Sequence, residues 1–192
     1  MYRLLLVLLL FQFGQICGFS DMKKDILISE QEIAKEVEAV AADLNQHYQN
    51  REVVIIGILK GSICFLSDLI RHLEFPFQIE FVTASSYGLR GTKPGELKLS
   101  GFDALDLKGK EVLLVDDIYD TGRTLSSVFH ALEKKDPKCL SSIVLLRKEV
   151  DQLGDIIPDW VCFDIEDHFV LGYGLDYKEL FRGLKAIYTI EE

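Results

Sequence analysis

The chain has 192 residues, 48% of them hydrophobic, which is enough for one domain with a substantial core. Its formal net charge of -10 disfavours a nucleic-acid backbone as partner, because phosphate contacts draw on a surplus of Lys and Arg. Cys17, Cys64, Cys139 and Cys162 lack CxxC spacing and stand in apolar settings, as reduced thiols do rather than a disulfide framework or a zinc site.

The chain opens MYRLLLVLLLFQFG, with Arg3 before an apolar run of signal-peptide length, too short to span a bilayer. Two readings stay open for residues 1–21: a secretory or anchoring segment, or a start assigned too early with Met22 as the true beginning. Ser29 then precedes EQEIAKEVEAVAADLNQHY, with Glu32 three positions on. That is a capping box, and Ile33, Val37, Val40 and Leu44 form the apolar stripe of the helix it opens. Residues 53–59, VVIIGIL, are a β-branched run suited to a strand buried on both faces. Lys60-Gly61-Ser62 breaks it, and residues 63–73 read as helix. Phe77–Thr83 reads as a strand. The four glycines and one proline of residues 84–101 read as a long mobile loop. A strand VLLV follows at 112–115, then a helix near Arg123–Lys134, a strand IVLL at 143–146 and another at Trp160–Ile165. Buried strands alternating with helices predict an α/β domain with a mostly parallel sheet flanked by helices. One domain is expected over residues 22–192.

The chemistry concentrates in VLLVDDIYDTGRTL at residues 112–125. A strand fit for burial runs into Asp116 and Asp117, then Asp120, then the turn Thr121-Gly122 and Arg123-Thr124. In open α/β sheets, ligands bind where strands end and helices begin. Backbone N–H groups of Thr121, Gly122, Arg123 and Thr124 would hold a phosphate at the helix N-terminus, and Gly122 would let it come close. The acids fit beside an anion only if it carries Mg²⁺ or a sugar diol, whose hydroxyls donate to carboxylates. The blander roles are helix caps for the three acids, and a solvated strand-end lysine for Lys60.

This stretch resembles the phosphoribosyl-pyrophosphate (PRPP) motif of type I phosphoribosyltransferases: apolar strand, two acids, two apolar residues, then D-T-G-x-T. Leu59-Lys60-Gly61-Ser62, Ser85-Ser86-Tyr87-Gly88, Leu146-Arg147-Lys148 and DHFVLGYGLDYKELFR at 167–182 narrow the resemblance to the hypoxanthine-guanine branch. The resemblance runs from about Met22 to the C-terminus. It implies the family fold, with a small hood built from the terminal segments. It also implies transfer of the 5-phosphoribosyl group from PRPP to hypoxanthine or guanine, with release of pyrophosphate.

The resemblance assigns roles. Asp116 and Asp117 would take the ribose hydroxyls; Asp-Asp replaces the Glu-Asp of many relatives and keeps both carboxylates. Asp120 would contact purine N7 and move its proton, as the catalytic residue. Residues Asp120 to Thr124 would surround the 5-phosphate. Lys60 and Gly61 would hold pyrophosphate, with a cis peptide before the lysine. Ser86 and Tyr87 open a loop that would close over the substrates, with Arg90, Lys93 and Lys98 supplying charge. Lys148 would donate to the purine O6 and so favour 6-oxopurines over adenine; a slip of one residue would give that task to Arg147. Phe169 would stack on the base, with Val170 contributing backbone contacts. Arg182 would contact pyrophosphate. Asp176, with Asp116 and Asp117, would attend the Mg²⁺ cofactor. His168 reads as an exposed loop residue.

Three rival readings remain. A phosphoribosyltransferase for adenine, xanthine or a pyrimidine would share the PRPP motif. An RNA-binding regulator of this fold would need a basic face. A generic nucleotide-binding domain would need a GxGxxG or GxxxxGK[ST] after a strand, and none occurs. A cytoplasmic enzyme, a homodimer or homotetramer with no stable membrane partner, is the expectation, and it favours Met22 as the start.

Overall fold

The computed structural model describes residues 24–86 and 97–190. The apolar segment 1–21, Tyr87, Arg90 and Lys93 lie outside the described residues. Strands β2 (Val53–Leu59), β3 (Phe77–Ser86), β4 (Leu97–Ser100), β5 (Glu111–Tyr119), β6 (Cys139–Lys148) and β7 (Trp160–Ile165) form one sheet in the order β4-β3-β2-β5-β6-β7. All pairings in it are parallel except β3 with β4.

The apolar runs bury both faces of this sheet, as parallel strands must. Along β2, Val53 and Ile55 enter one core while Val54, Ile56 and Ile58 enter the other. Along β5, Leu113 and Val115 face the first core and Val112 and Leu114 the second. The first core is covered by α1 (Glu30–His47) and α2 (Ile63–Leu69). The Ser29–Glu32 capping box closes the start of α1, and Ile33, Val37, Val40 and Leu44 all bury against the sheet. The second core is covered by α3 (Arg123–Glu133) through Leu125, Val128 and Leu132.

Strands β1 (Lys24–Ile28), β8 (Val170–Leu171) and β9 (Ile187–Ile190) build a separate antiparallel sheet in the order β1-β9-β8. This is the hood: both ends of the described chain meet in it, Lys24 opposite Ile190.

Several boundaries differ from the sequence expectation. Helix α2 stops at Leu69 rather than 73. Arg71 N–H and His72 N–H reach back only three residues, to Asp68 and Leu69, so the last turn tightens and ends the helix. Strand β3 runs on to Ser86, because Thr83–Ser86 pairs with β4 inside the segment expected to be loop. Strands β5 and β6 extend beyond their apolar cores at both ends. Cys139 is exposed rather than apolar in setting, at the first position of β6; Cys64, Cys139 and Cys162 are free thiols. No helix among the described residues is long and apolar enough to cross a membrane.

Candidate active site

Chain order reverses between β2 and β5. From β2 the sheet grows through β3 to one edge, and from β5 through β6 to the other. At such a switch point the loops after adjacent strands part and leave a crevice. The loop after β2 carries Lys60 and Gly61, and the end of β5 carries Asp116 and Asp117. The two are in contact: a Cβ at Gly61 would overlap the Asp117 carboxylate. The Leu59–Lys60 peptide is cis, as the resemblance implies. Ser62, fully buried, turns this loop by donating to the Ile58 carbonyl at 2.6 Å.

Asp116 and Asp117 are not helix caps. Both belong to β5, and the residue that caps α3 is Gly122, whose φ of 79° is a left-handed conformation that glycine adopts without strain. Nor is Asp120 the cap; it stands between strand and helix, its side chain half exposed. Asp116 is 4% exposed. Burial first, then the charge of Asp117, pushes its carboxyl well above the ordinary range. Asp117 is pushed up by burial too, less strongly, because hydrogen bonds from Asp116 and from backbone N–H groups favour its charged form. Neither forms an ion pair among the described residues. A buried and a half-buried carboxylate in this state suit a ligand that brings hydroxyl donors or a hard cation. That donor set fits Mg²⁺, which takes oxygen ligands and keeps several waters. Among the described residues no cluster of three or more His, Cys, Asp or Glu side chains stands ready to hold a metal.

Thr121, Arg123 and Thr124 line a cavity of about 530 Å³ at the start of α3. The first N–H groups of α3 have no partner within their helix and carry its positive dipole end, so an anion is favoured there.

The parallel register sets the purine side. Tyr119 pairs with Arg147, so the next residues, Asp120 and Lys148, come abreast. Lys148 Nζ lies 3.5 Å from Asp120 Oδ2 and 3.0 Å from Asp167 Oδ1, with its side chain 11% exposed. Arg147 points elsewhere, its Nε and Nη2 on the two oxygens of Asp164. Of the two, Lys148 is the cation beside Asp120. Two residues after Asp167, the half-exposed Phe169 ring meets Tyr177 edge to face at 5.6 Å. Val170 is buried in β8. His168 is exposed, 3.3 Å from Glu166.

On the opposite side the hood descends on the Lys60 loop. A Cβ at Gly174 would overlap the Gly61 carbonyl, so backbone touches backbone here. Arg182 Nη1 donates to the Gly174 carbonyl at 2.8 Å, and Nη2 lies 2.6 Å from Asp176 Oδ1. The other Asp176 oxygen accepts from Glu179 N–H at 2.8 Å. Lys60 Nζ bonds Glu179 Oε2 at 2.8 Å. Lys60, Gly61, Asp176 and Arg182 are thus gathered in one cluster, while Asp120, Lys148 and Asp167 gather in a second. The acid pair and the Thr121–Thr124 turn stand at the end of the strand between them. Backbone pairing brings Ser86 to Leu97, at the far edge of the sheet.

Glu179, Asp167 and Tyr177 were not anticipated. Each lies within the 167–182 block, and their alternation with Phe169, Asp176 and Arg182 was the available signal. Gly154, which packs against Gly122, had no signal at all.

The phosphoribosyl transferase domain family matches residues 24–178. The chain is 38% identical over 172 residues to a hypoxanthine phosphoribosyltransferase of Haemophilus influenzae, covering 86% of this chain and 96% of the relative. It is 38% identical over 169 residues to a hypoxanthine-guanine phosphoribosyltransferase of Bacillus subtilis, covering 86% and 94%. Among solved structures, a hypoxanthine phosphoribosyltransferase of Staphylococcus aureus matches with a TM-score of 0.83 at 35% identity, over 91% of this chain and 95% of that one. The match, the switch-point acids and the hood agree: this chain belongs to the phosphoribosyl transferase domain family.

Proposed function

We infer that this chain transfers the 5-phosphoribosyl group of PRPP to hypoxanthine or guanine, giving IMP or GMP and pyrophosphate, a reaction of purine salvage. The observation that carries this reading is the acid pair at the switch point, flanked by a lysine-and-arginine cluster on one side and by Asp120–Lys148 on the other. PRPP needs those three environments together: acceptors for a diol, cations for a diphosphate and a proton-handling site for a purine.

Breaking the bond from ribose to pyrophosphate develops positive charge on the sugar, so catalysis consists of holding the leaving group, excluding water and managing one purine proton. In the proposed mechanism Asp116 and Asp117 accept from the ribose hydroxyls. N–H groups of Thr121, Gly122, Arg123 and Thr124, with the threonine hydroxyls, hold the 5-phosphate. Lys60, the Gly61 backbone and Arg182 hold pyrophosphate, for which Lys60 must leave Glu179. Asp120 accepts the proton of purine N7 as N9 attacks the sugar. Lys148 donates to the exocyclic O6; the 6-amino group of adenine would meet it donor to donor. Phe169 stacks on the base, steadied by Tyr177, and the Val170 backbone reads its edge. Ser86 and Tyr87 belong to the segment assigned to closure.

Mg²⁺, with Asp176, Asp116 and Asp117 as its protein carboxylates, would neutralise the charge that builds on the departing diphosphate. We assign the enzyme to the cytoplasm, where PRPP and Mg²⁺ are supplied, and to a homodimer or homotetramer. Pyrophosphate release from PRPP, followed with hypoxanthine, guanine, xanthine and adenine in parallel, tests the reading. Turnover with the first two and not with adenine is expected; turnover with adenine alone would overthrow it.

A further inference from the structure

The 5-phosphate turn is not held by α3 alone. Leu153 N–H and Gly154 N–H both donate to the Thr121 carbonyl, at 2.9 and 3.0 Å. Ile156 N–H donates to Ser126 Oγ at 3.1 Å, and the Tyr119 hydroxyl donates to the Ile156 carbonyl at 2.7 Å. A Cβ at Gly154 would come within 2.5 Å of the Gly122 carbonyl oxygen and of Ser126 Oγ. Residues 153–156, outside any helix or strand, therefore lie as a strap pressed onto the turn.

One titratable side chain fastens this strap. His130, on α3, has Nε2 2.9 Å from Asp155 Oδ2 and Nδ1 2.7 Å from Glu133 Oε2. Ionised carboxylates only accept, so both contacts are hydrogen bonds only while both ring nitrogens carry protons. The other fastenings join N–H or O–H groups to carbonyl or hydroxyl oxygens and do not titrate near neutrality. Among the described residues, Glu133 from the same helix and Asp155 from the strap are the charged groups facing the imidazole; Arg123 and Leu97 line the same cavity.

We propose that His130 is a positioning residue for the 5-phosphate site: its imidazolium, held between Glu133 and Asp155, fastens the 153–156 strap and through it the Thr121–Gly122 turn. The inference rests on the functional reading above and adds a residue that touches no substrate. Deprotonation leaves a lone pair facing a carboxylate, and the strap loosens. Hydrogen bonds to Glu133 and then to Asp155 hold the His130 pKa above its ordinary value, so the latch stays closed where a free histidine is losing its proton.

The side chains are partly exposed, so the effect is about threefold, the size such ion pairs carry. Protonated His130 favours the ordered turn, so KM for PRPP rises as pH rises through its pKa. By reciprocity, PRPP binding raises that pKa.

The test uses the full chain, with KM for PRPP and kcat measured from about pH 6 to about pH 8.5, a range that brackets histidine titration. The 5-phosphate of PRPP titrates there too, so the readout is the ratio of variant to wild type at each pH. For His130→Gln and Asp155→Asn the KM ratio is expected to be about threefold at the acid end and to approach one at the alkaline end, with kcat within about twofold. In parallel, nuclear magnetic resonance follows the His130 ring with and without PRPP in the wild type, which needs no variant to fold. A KM ratio that is flat with pH overturns the proposal. An unmoved His130 pKa in a chain that calorimetry shows to bind PRPP overturns it while leaving the functional reading intact. Failure to bind PRPP removes both.

Discussion

Asp120 Oδ2 lies 3.5 Å from Lys148 Nζ, across the ends of the neighbouring parallel strands β5 and β6. The parallel register that pairs Tyr119 with Arg147 imposes this adjacency, so the proposed purine site is a property of the sheet rather than of a loop. A carboxylate and an ammonium group stand side by side.

Asp120→Asn keeps the shape of the side chain and removes its ability to take a proton. The variant is expected to lose roughly 10²–10⁴-fold in kcat with KM for PRPP little changed, because general-base terms are of that size. Steady-state kinetics decides it, and a kcat within tenfold of wild type would remove Asp120 from proton transfer.

Lys148→Ala removes the proposed donor to O6 and leaves Asp120 and Asp167 without their shared cation. Hypoxanthine KM should rise roughly 10–150-fold, the worth of about 1.5–3 kcal/mol of one hydrogen bond from a charged group, and the preference for guanine over adenine should shrink. Should the guanine-to-adenine ratio of kcat/KM stay constant, discrimination lies in another residue.

What was readable in the sequence was local or doubly buried. The Ser29–Glu32 capping box is a contact between residues three apart, and it occurs as read. The runs in β2 and β5 are apolar without alternation because cores lie on both sides, which betrays a parallel sheet. The hood strands were unreadable as strands, since β1 exists only by pairing with the other end of the chain. Strand β4 does alternate, LKLS with half-buried and exposed positions in turn, but its surrounding glycines and proline hid it. In the site, acids at a strand tip announced themselves. Their counter-groups did not: the grip of Glu179 on Lys60 joins positions 119 residues apart, and no spacing encodes it.

Gly61→Ala tests the contact between the Lys60 loop and the acid pair. The new methyl would overlap the Asp117 carboxylate, so either Asp117 leaves its place or the loop does. KM for PRPP should rise at least about tenfold, and stability should fall by about 1–3 kcal/mol, as in other overpacked sites. Gly183→Ala is the control, because nothing lies within 4 Å of a Cβ there. Thermal melting and PRPP kinetics on both variants check it; equal behaviour of the two would mean that the loop yields freely.

The acid pair should also cost the free enzyme stability as pH rises. The Asp116 carboxyl titrates well above its ordinary value, with burial as the main cause and Asp117 next. Between about pH 3.9, where an unfolded aspartate ionises, and the raised folded value, the native state binds more protons than the unfolded one. Stability therefore falls through that window as pH increases, and at pH 7 the deficit is fully present if both carboxyls have ionised. Asp116→Asn removes the charge and keeps the oxygen that accepts from Asp117 N–H at 3.0 Å. The variant should melt higher than wild type near pH 7, by about 2–4 °C for each kcal/mol relieved, and lose the advantage toward pH 4. It should also bind Mg²⁺–PRPP more weakly, since a group that destabilises the empty site is kept for its ligand. Melting curves from pH 4 to pH 8 read out the first effect and calorimetry with Mg²⁺–PRPP the second; a variant less stable than wild type at every pH would show that the Asp116 charge is already compensated within the folded chain.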